Sequence, residues 1–477
     1  MRPRHAAPTL SIRTRSGPQQ DLPRGSGLRS REGVSALRQR AWTPAALVVL
    51  LFGSSAALAQ LPPTQTPGQQ FQLPPSTPMP PAPVPEPAPT GLQRWFNPST
   101  APFIPVPVVG TDPDSGTTVG IMPVWVRANP QLEIDRIIAP DLVHNPYFGW
   151  GMHARLYAYP SEDEHWSAVA GIKQRVEREL DLDYQIGLAR RGRWSFAAGA
   201  VYGRDGTPRF YGIGNQTSLA DQTNYTAEQE VLRARIGYNI SRIWQLAYTV
   251  RLRRVDVQPG TLSGIPSIEQ RFGAQSLGSD REFLHRLGLV YDTRDDLTIP
   301  HRGMQWIAYV GMASRTGLFN DSMYTDTGVD ARAFWPVFHD TVFAAHVAVR
   351  YLLRANDVPF WALSSVGGDR SSIGGEQPLR GFGFGRYVDR NSFATTLELR
   401  HRVFSFNAVS THVDIELTPF VDAGRVFADT DTFPLDHLHT VGGIGFRGVA
   451  RPFVVGYVDV GYGTEGVAVF TGINYPF

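Results

Sequence analysis

Residues 466–477 read GVAVFTGINYPF. Side chains of an extended chain alternate between two faces. Val467, Val469, Thr471, Ile473, Tyr475 and Phe477 therefore share one face, and Ala468, Phe470, Gly472 and Asn474 share the other. The pattern recurs upstream. Phe393, Thr395, Leu397 and Leu399 oppose Thr396, Glu398 and Arg400. Val413, Ile415, Leu417 and Val421 oppose Asp414, Glu416, Thr418 and Asp422. Charge confined to one face of successive strands predicts a wet surface on one side of the sheet and an apolar surface on the other. A soluble sandwich with one solvated face shows the same alternation.

The rest of the sequence separates these two readings. From about Ile104 onward no apolar run approaches the ~20 residues of a membrane helix. In hydrocarbon every backbone polar group must be satisfied internally, so a spanning chain without such helices is a closed barrel. Alternating segments between Gly, Asp, Asn and Pro turns predict about 16 strands from residue 115 onward. The expectation is an all-β fold, a 16-stranded antiparallel transmembrane β-barrel with both ends on the inner rim. Residues 129–145 then form the first outward loop and residues 354–390 the sixth.

The first 103 residues carry other information. Residues 41–59 read AWTPAALVVLLFGSSAALA, a short apolar stretch after a basic segment and before an Ala57-Leu58-Ala59 cleavage pattern. This predicts a secretory signal peptide over 1–59, with a true start downstream near Val34. Residues 60–103 are Pro-rich and predict an extended periplasmic linker. The barrel is expected over 104–477.

The 477 residues hold 45 basic and 43 acidic side chains and no Cys. A net charge of +2 lacks the footprint of a nucleic-acid binder. Absence of Cys excludes disulfides, thiolate metal sites and Cys nucleophiles. No Ser lies in a Gly-rich elbow. The expectation is a protein that is not an enzyme and uses no cofactor or metal.

The longest predicted loop contains VGGDRSSIGGEQPLRGFGFGRYVDRN at 366–391. Its glycines do not form a phosphate-binding loop, because the Walker pattern and its Lys are missing. Leu379-Arg380-Gly381-Phe382, followed by Arg386-Tyr387-Val388-Asp389 and Asn391, instead resembles the signature of the BamA/TamA superfamily, the bacterial surface antigen family. Further segments resemble the family in order: Phe210–Asn215, Tyr291–Asp295 with Pro300–Gly303, Leu397–Arg400, Phe420–Gly424 and Gly443–Arg447. Tyr475 and Phe477 resemble the sorting signal of outer-membrane barrels.

The resemblance implies that the sixth loop folds back into the lumen, with Arg380 carrying its motif and Asp422 as partner. Alternation adds Glu398, on the lumen face of the strand after the loop. A buried guanidinium needs paired acceptors, and charge-assisted bonds to two carboxylates would supply them. The resemblance further implies a bacterial outer-membrane location, contact with membrane lipid, and insertion or translocation of nascent outer-membrane or secreted proteins at a weakly paired seam. Gly472 and Pro476 are expected to thin the closing strand's ladder. Family members usually carry periplasmic POTRA domains, and the linker is too short for one. A barrel-only member with a separate periplasmic partner at the Pro-rich segment is therefore expected. A solute channel and a surface or adhesion antigen are the alternatives.

Overall fold

The computed structural model describes residues 104–477 apart from 129–133, 162, 188, 298, 315–322, 357, 409–410, 433, 451–453 and 474. The expected signal peptide and linker lie outside the described residues. The chain begins with β1 (Ile104–Asp112), β2 (Gly116–Ala128), β3 (Ile134–Ile138), β4 (Asp141–Asn145) and β5 (Gly149–Ser161). It continues with β6 (Glu164–Lys173), β7 (Arg178–Ile186), β8 (Trp194–Asp205) and the short β9 (Arg209–Phe210). The middle holds β10 (Thr223–Asn239), β11 (Trp244–Pro259), β12 (Gly278–Asp292), β13 (Gly303–Ala313), β14 (Met323–Phe338) and β15 (Thr341–Asn356). Inside the long connection β16 (Ser364–Val366) pairs with β17 (Tyr387–Asp389). The wall ends with β18 (Asn391–Ala408), β19 (Thr411–Phe427), β20 (His439–Ala450), β21 (Val454–Gly463) and β22 (Gly466–Ile473).

All but β16 and β17 belong to one sheet of 20 strands. Each wall strand pairs antiparallel with its neighbours in sequence, as in β10 with β11 and β18 with β19. The strand β9 only caps the start of β10. Because β3 and β4 share one position between β2 and β5, the described residues fill eighteen wall positions rather than the expected 16. The two additions are β1 and the β3/β4 strand. Pro105 and Pro107 argue against a strand at 104–112, which falls inside the expected barrel but ahead of its first expected strand, although proline is tolerated on the edge of a sheet. The interruption between Ile138 and Asp141 hides the other. Residues 134–145 are thus wall, not outward loop, and the long connection becomes the seventh on its rim.

The expected faces hold. Leu397 and Val421 are 43 % and 53 % exposed, whereas Glu398 and Asp422 on the opposite faces are buried. An apolar exterior around a charged interior suits lipid outside and a polar lumen. On the rim that carries both ends of the wall, Trp194 packs edge-on against Tyr238, Trp244 against Tyr291, and Trp335 stacks on Phe343. Such an aromatic girdle marks a membrane interface.

The ring is completed where β1 and β22 come side by side. Thr111 N donates to Thr471 Oγ1 at 2.7 Å. Among the described residues no strand register joins the two, while β1 is fully paired to β2 and β22 to β21. The chain does not stay in the wall to its end. Beyond Ile473, Tyr475 and Phe477 turn into the lumen instead of continuing the outward face of Val467 and Val469. Tyr475 donates to Glu416 at 2.8 Å, and Phe477 stacks on His346. Pro476 therefore lies outside the ladder of β22, and its carbonyl accepts from Ser371 N at 3.3 Å.

Candidate functional site

The long connection, described over residues 358–390, enters the barrel and is held by one arginine. Arg380 is fully buried. Its Nε and Nη2 donate to the two oxygens of Asp422 at 2.9 and 2.8 Å, and its backbone N donates to Asp422 at 3.0 Å. Nη1 donates to Glu398 at 2.6 Å and to Asp459 at 2.8 Å. The guanidinium lies 3.5 Å from the centroid of the Phe420 ring.

The wall supplies two more cations. Arg400 Nε donates to the second oxygen of Glu398 at 2.9 Å. Arg447 Nη2 donates to Asp459 at 3.1 Å, and its Nη1 makes a second bond to the same carboxylate. Three guanidinium groups thus meet three carboxylates, and the buried charge cancels. The Asp422 and Glu398 pairing expected from sequence is present. Asp459, Arg400 and Arg447 complete the network and were not expected as partners. The signal for Asp459 was available: it is the lone acid on the inward face of Tyr457, Asp459 and Gly461.

Backbone proximity explains the glycines. A Cβ on Gly461 would collide with the Arg380 carbonyl, and one on Gly381 would meet Val441 and the Gly463 backbone. Leu379 and Phe382 enter an apolar cluster with Val366, Tyr387, Ala394, Phe420, Val426 and Val441. The turn is tied by Leu379 N to Gly368 O at 2.9 Å and Gly368 N to Phe382 O at 3.0 Å.

The outer end of the loop touches both sides of the seam. Arg386 Nε donates to Glu465 in the β21–β22 turn at 2.8 Å. Phe384 N donates to Asp114 in the β1–β2 turn at 2.7 Å. The Phe210–Asn215 segment closes over this end, with Gly214 N donating to Val388 O at 2.8 Å and Val426 N to Asn215 Oδ1 at 3.0 Å. On the opposite rim Asp292 accepts from Arg190, Arg294 and Gln305, and Asp295 accepts the His301 and Arg302 N–H groups. The Tyr291–Gly303 motif is therefore a braced turn.

Ser371, His346 and Asp330 also meet. Ser371 Oγ and Asp330 both contact Nε2 of His346, at 3.3 and 3.0 Å. A nucleophile–base pair needs the acid on the other ring nitrogen, so this trio lacks the relay geometry.

Two loop carboxyls carry a pH dependence. Burial pushes Asp114 up to about 7, against the pull of Arg209 and the Phe384 N–H. Burial likewise pushes Glu376 up to about 7, against Arg370 and the Gly385 N–H. Below about pH 4 docked and released carboxyls are both protonated. Between about 4 and 7 the released groups ionise while the docked ones resist, so docking weakens as pH rises, then levels off. Limited proteolysis at pH 5 and pH 8 is expected to cut the 366–391 segment faster at pH 8. Equal rates, after correction for protease activity, would remove these two groups from the account.

A ring of antiparallel strands, apolar outside and charged inside, with a long loop anchored in its lumen, defines a membrane barrel rather than a soluble sandwich. The Omp85 superfamily domain matches residues 172–447, more than half of the chain, and the chain belongs to that superfamily of β-barrels. Among solved structures, BamA from Haemophilus ducreyi lacking POTRA domains 1–3 is 13 % identical, with 78 % of this chain and 75 % of that chain covered and a TM-score of 0.48. CdiB from Escherichia coli is 12 % identical, covering 77 % of this chain and 62 % of that one, with a TM-score of 0.40. CdiB from Acinetobacter baumannii is 14 % identical, covering 74 % and 65 %, with a TM-score of 0.42. The chain spans less than two thirds of both CdiB chains. No curated protein matches it.

Proposed function

We propose that this barrel works in the bacterial outer membrane, without enzymatic chemistry, by inserting or translocating other proteins through its β1–β22 seam. The observation that carries the reading is the chemistry of β1. Backbone N–H groups alternate sides along a strand. Thr111 aims its N–H at β22, so residues 105, 107 and 109 aim theirs the same way. Pro105 and Pro107 have no N–H to give. Closure there loses two donors through the sequence itself, while the carbonyls of the same two residues still face that side and can accept from an incoming strand. A periplasmic partner engaging the Pro-rich 60–103 segment would deliver such clients.

A photo-crosslinker placed at Val469, on the outward face of β22, tests this in cells. Adducts to newly exported barrel or secreted proteins are expected. Absence of adducts, together with a large and stable conductance in planar bilayers, favours the second reading, a solute channel through the lumen.

A further inference from the structure

The loop anchors on β18, β19 and β21, and through Phe360–Ala362 and Ile373 it also packs on β10 to β15. Between the loop and the β6–β11 wall lies a chamber of about 710 Å³. Its lining includes Arg251, Arg253 and Arg350. The short turn at Phe360–Ala362 brings two of these together. Arg253 lies over the Trp361 ring at 4.7 Å, and Arg350 donates to the Ala362 and Leu363 carbonyls at 3.3 and 3.0 Å.

Their charges are not balanced. Arg251 is paired with Glu282 at 2.6 Å and Arg286 with Asp326 at 2.5 Å. Arg350 reaches only the same Asp326, at 3.7 Å. Arg253 bonds Gln229 at 3.3 Å, and among the described residues no carboxylate lies within ion-pair distance of it. The nearby Asp330 is already matched by Arg332 at 3.1 Å. Arg251, Arg253, Arg286 and Arg350 therefore face two carboxylates. Arg350 is almost wholly buried, and its Nε has no acceptor. Asp112, Asp114, Glu177, Glu179, Asp205 and Glu376 also line the chamber, but among the described residues none is within ion-pair distance of Arg253 or Arg350: Glu177 pairs with Lys173, and Asp114 and Glu376 accept the Phe384 and Gly385 N–H groups. Asp181 shares a row with Arg253 through Val201 and Val231, three strand spacings or about 14 Å away.

Uncompensated cations in a secluded site call for an anion. We propose that the chamber binds a small multivalent oxyanion, of phosphate or carboxylate type, between Arg253 and Arg350 beside Trp361. Two forked guanidinium groups match the geometry of such oxygens. The site is independent of the seam and of any protein client.

Calorimetry with inorganic pyrophosphate on the purified full chain in detergent tests it. Wild type is expected to bind saturably, at a stoichiometry near one. Arg253→Gln should weaken binding by about tenfold, the loss of one charge-assisted hydrogen bond. Arg254→Gln removes the same charge from the outward face of β11, where Arg254 meets Glu230, and should bind within about twofold of wild type. If Arg253→Gln loses its heat-modifiable folded form, Arg253→Lys gives the same comparison, keeping the charge but losing the fork. No saturable binding by wild type, or equal losses at positions 253 and 254, would overturn the proposal.

Discussion

Arg380→Ala is expected to lower the unfolding temperature of the barrel and to release the loop to protease. The substitution leaves Glu398, Asp422 and Asp459 facing only Arg400 and Arg447, in a region where all three acids are buried. Removing one partner of a buried ionic network costs ~3–5 kcal/mol, because the remaining charge stays desolvated. The Phe420 ring loses its cation as well. Arg380→Lys keeps a charge but cannot reach Asp422 with two nitrogens while also reaching Glu398 and Asp459, so an intermediate loss is expected. The heat-modifiable shift on gels reads the first effect, and cleavage within 366–391 reads the second. An alanine variant unchanged in both would show that the network does not anchor the loop.

This network was half legible in the sequence. Asp422 follows from the family motif, and Glu398 follows from period-2 alternation on the strand after the loop. Arg400 sits on the same inward face as Glu398, two residues away, yet nothing local says which charges on one face will pair. Asp459 and Arg447 lie on different strands, β21 and β20, and their proximity depends on a register in which Gly445 stands opposite Asp459. Alternation gives the face of a residue but not its neighbour across the ladder.

The same limit explains the strand number. Period-2 patterning finds strands with a charged face, such as β18 and β19, and overlooks β1, where prolines mask the strand, and the β3/β4 strand, which is broken. Tyr475 and Phe477 keep the alternation of β22 in sequence but leave it in space. Arg400 lies 3.8 Å from the centroid of the Tyr475 ring, and His346 stacks on Phe477. A cation and an imidazole on the lumen wall offer these aromatic rings specific partners that lipid cannot.

Locking the seam is expected to abolish activity while leaving the fold intact. Thr111 and Thr471 face each other across it, with Thr111 N 2.7 Å from Thr471 Oγ1. That contact places their backbones within the span of a disulfide. The chain has no Cys, so Thr111→Cys with Thr471→Cys introduces the sole pair of thiols. If clients pass by exchanging strand pairing at this edge, the oxidised double variant should lose nearly all assembly of outer-membrane or secreted clients, and reductant should restore it. Each single variant should stay near wild type, since the seam has little ladder to lose. The anchored loop sharpens the expectation. Through Arg386 with Glu465 and Phe384 with Asp114 it bridges the hairpins on both sides of the seam, so opening must either break these contacts or occur nearer the rim with the aromatic girdle. A crosslink at Thr111 sits beside the bridged end. Full activity of the oxidised form would overturn strand exchange along the stretch where β1 and β22 lie side by side.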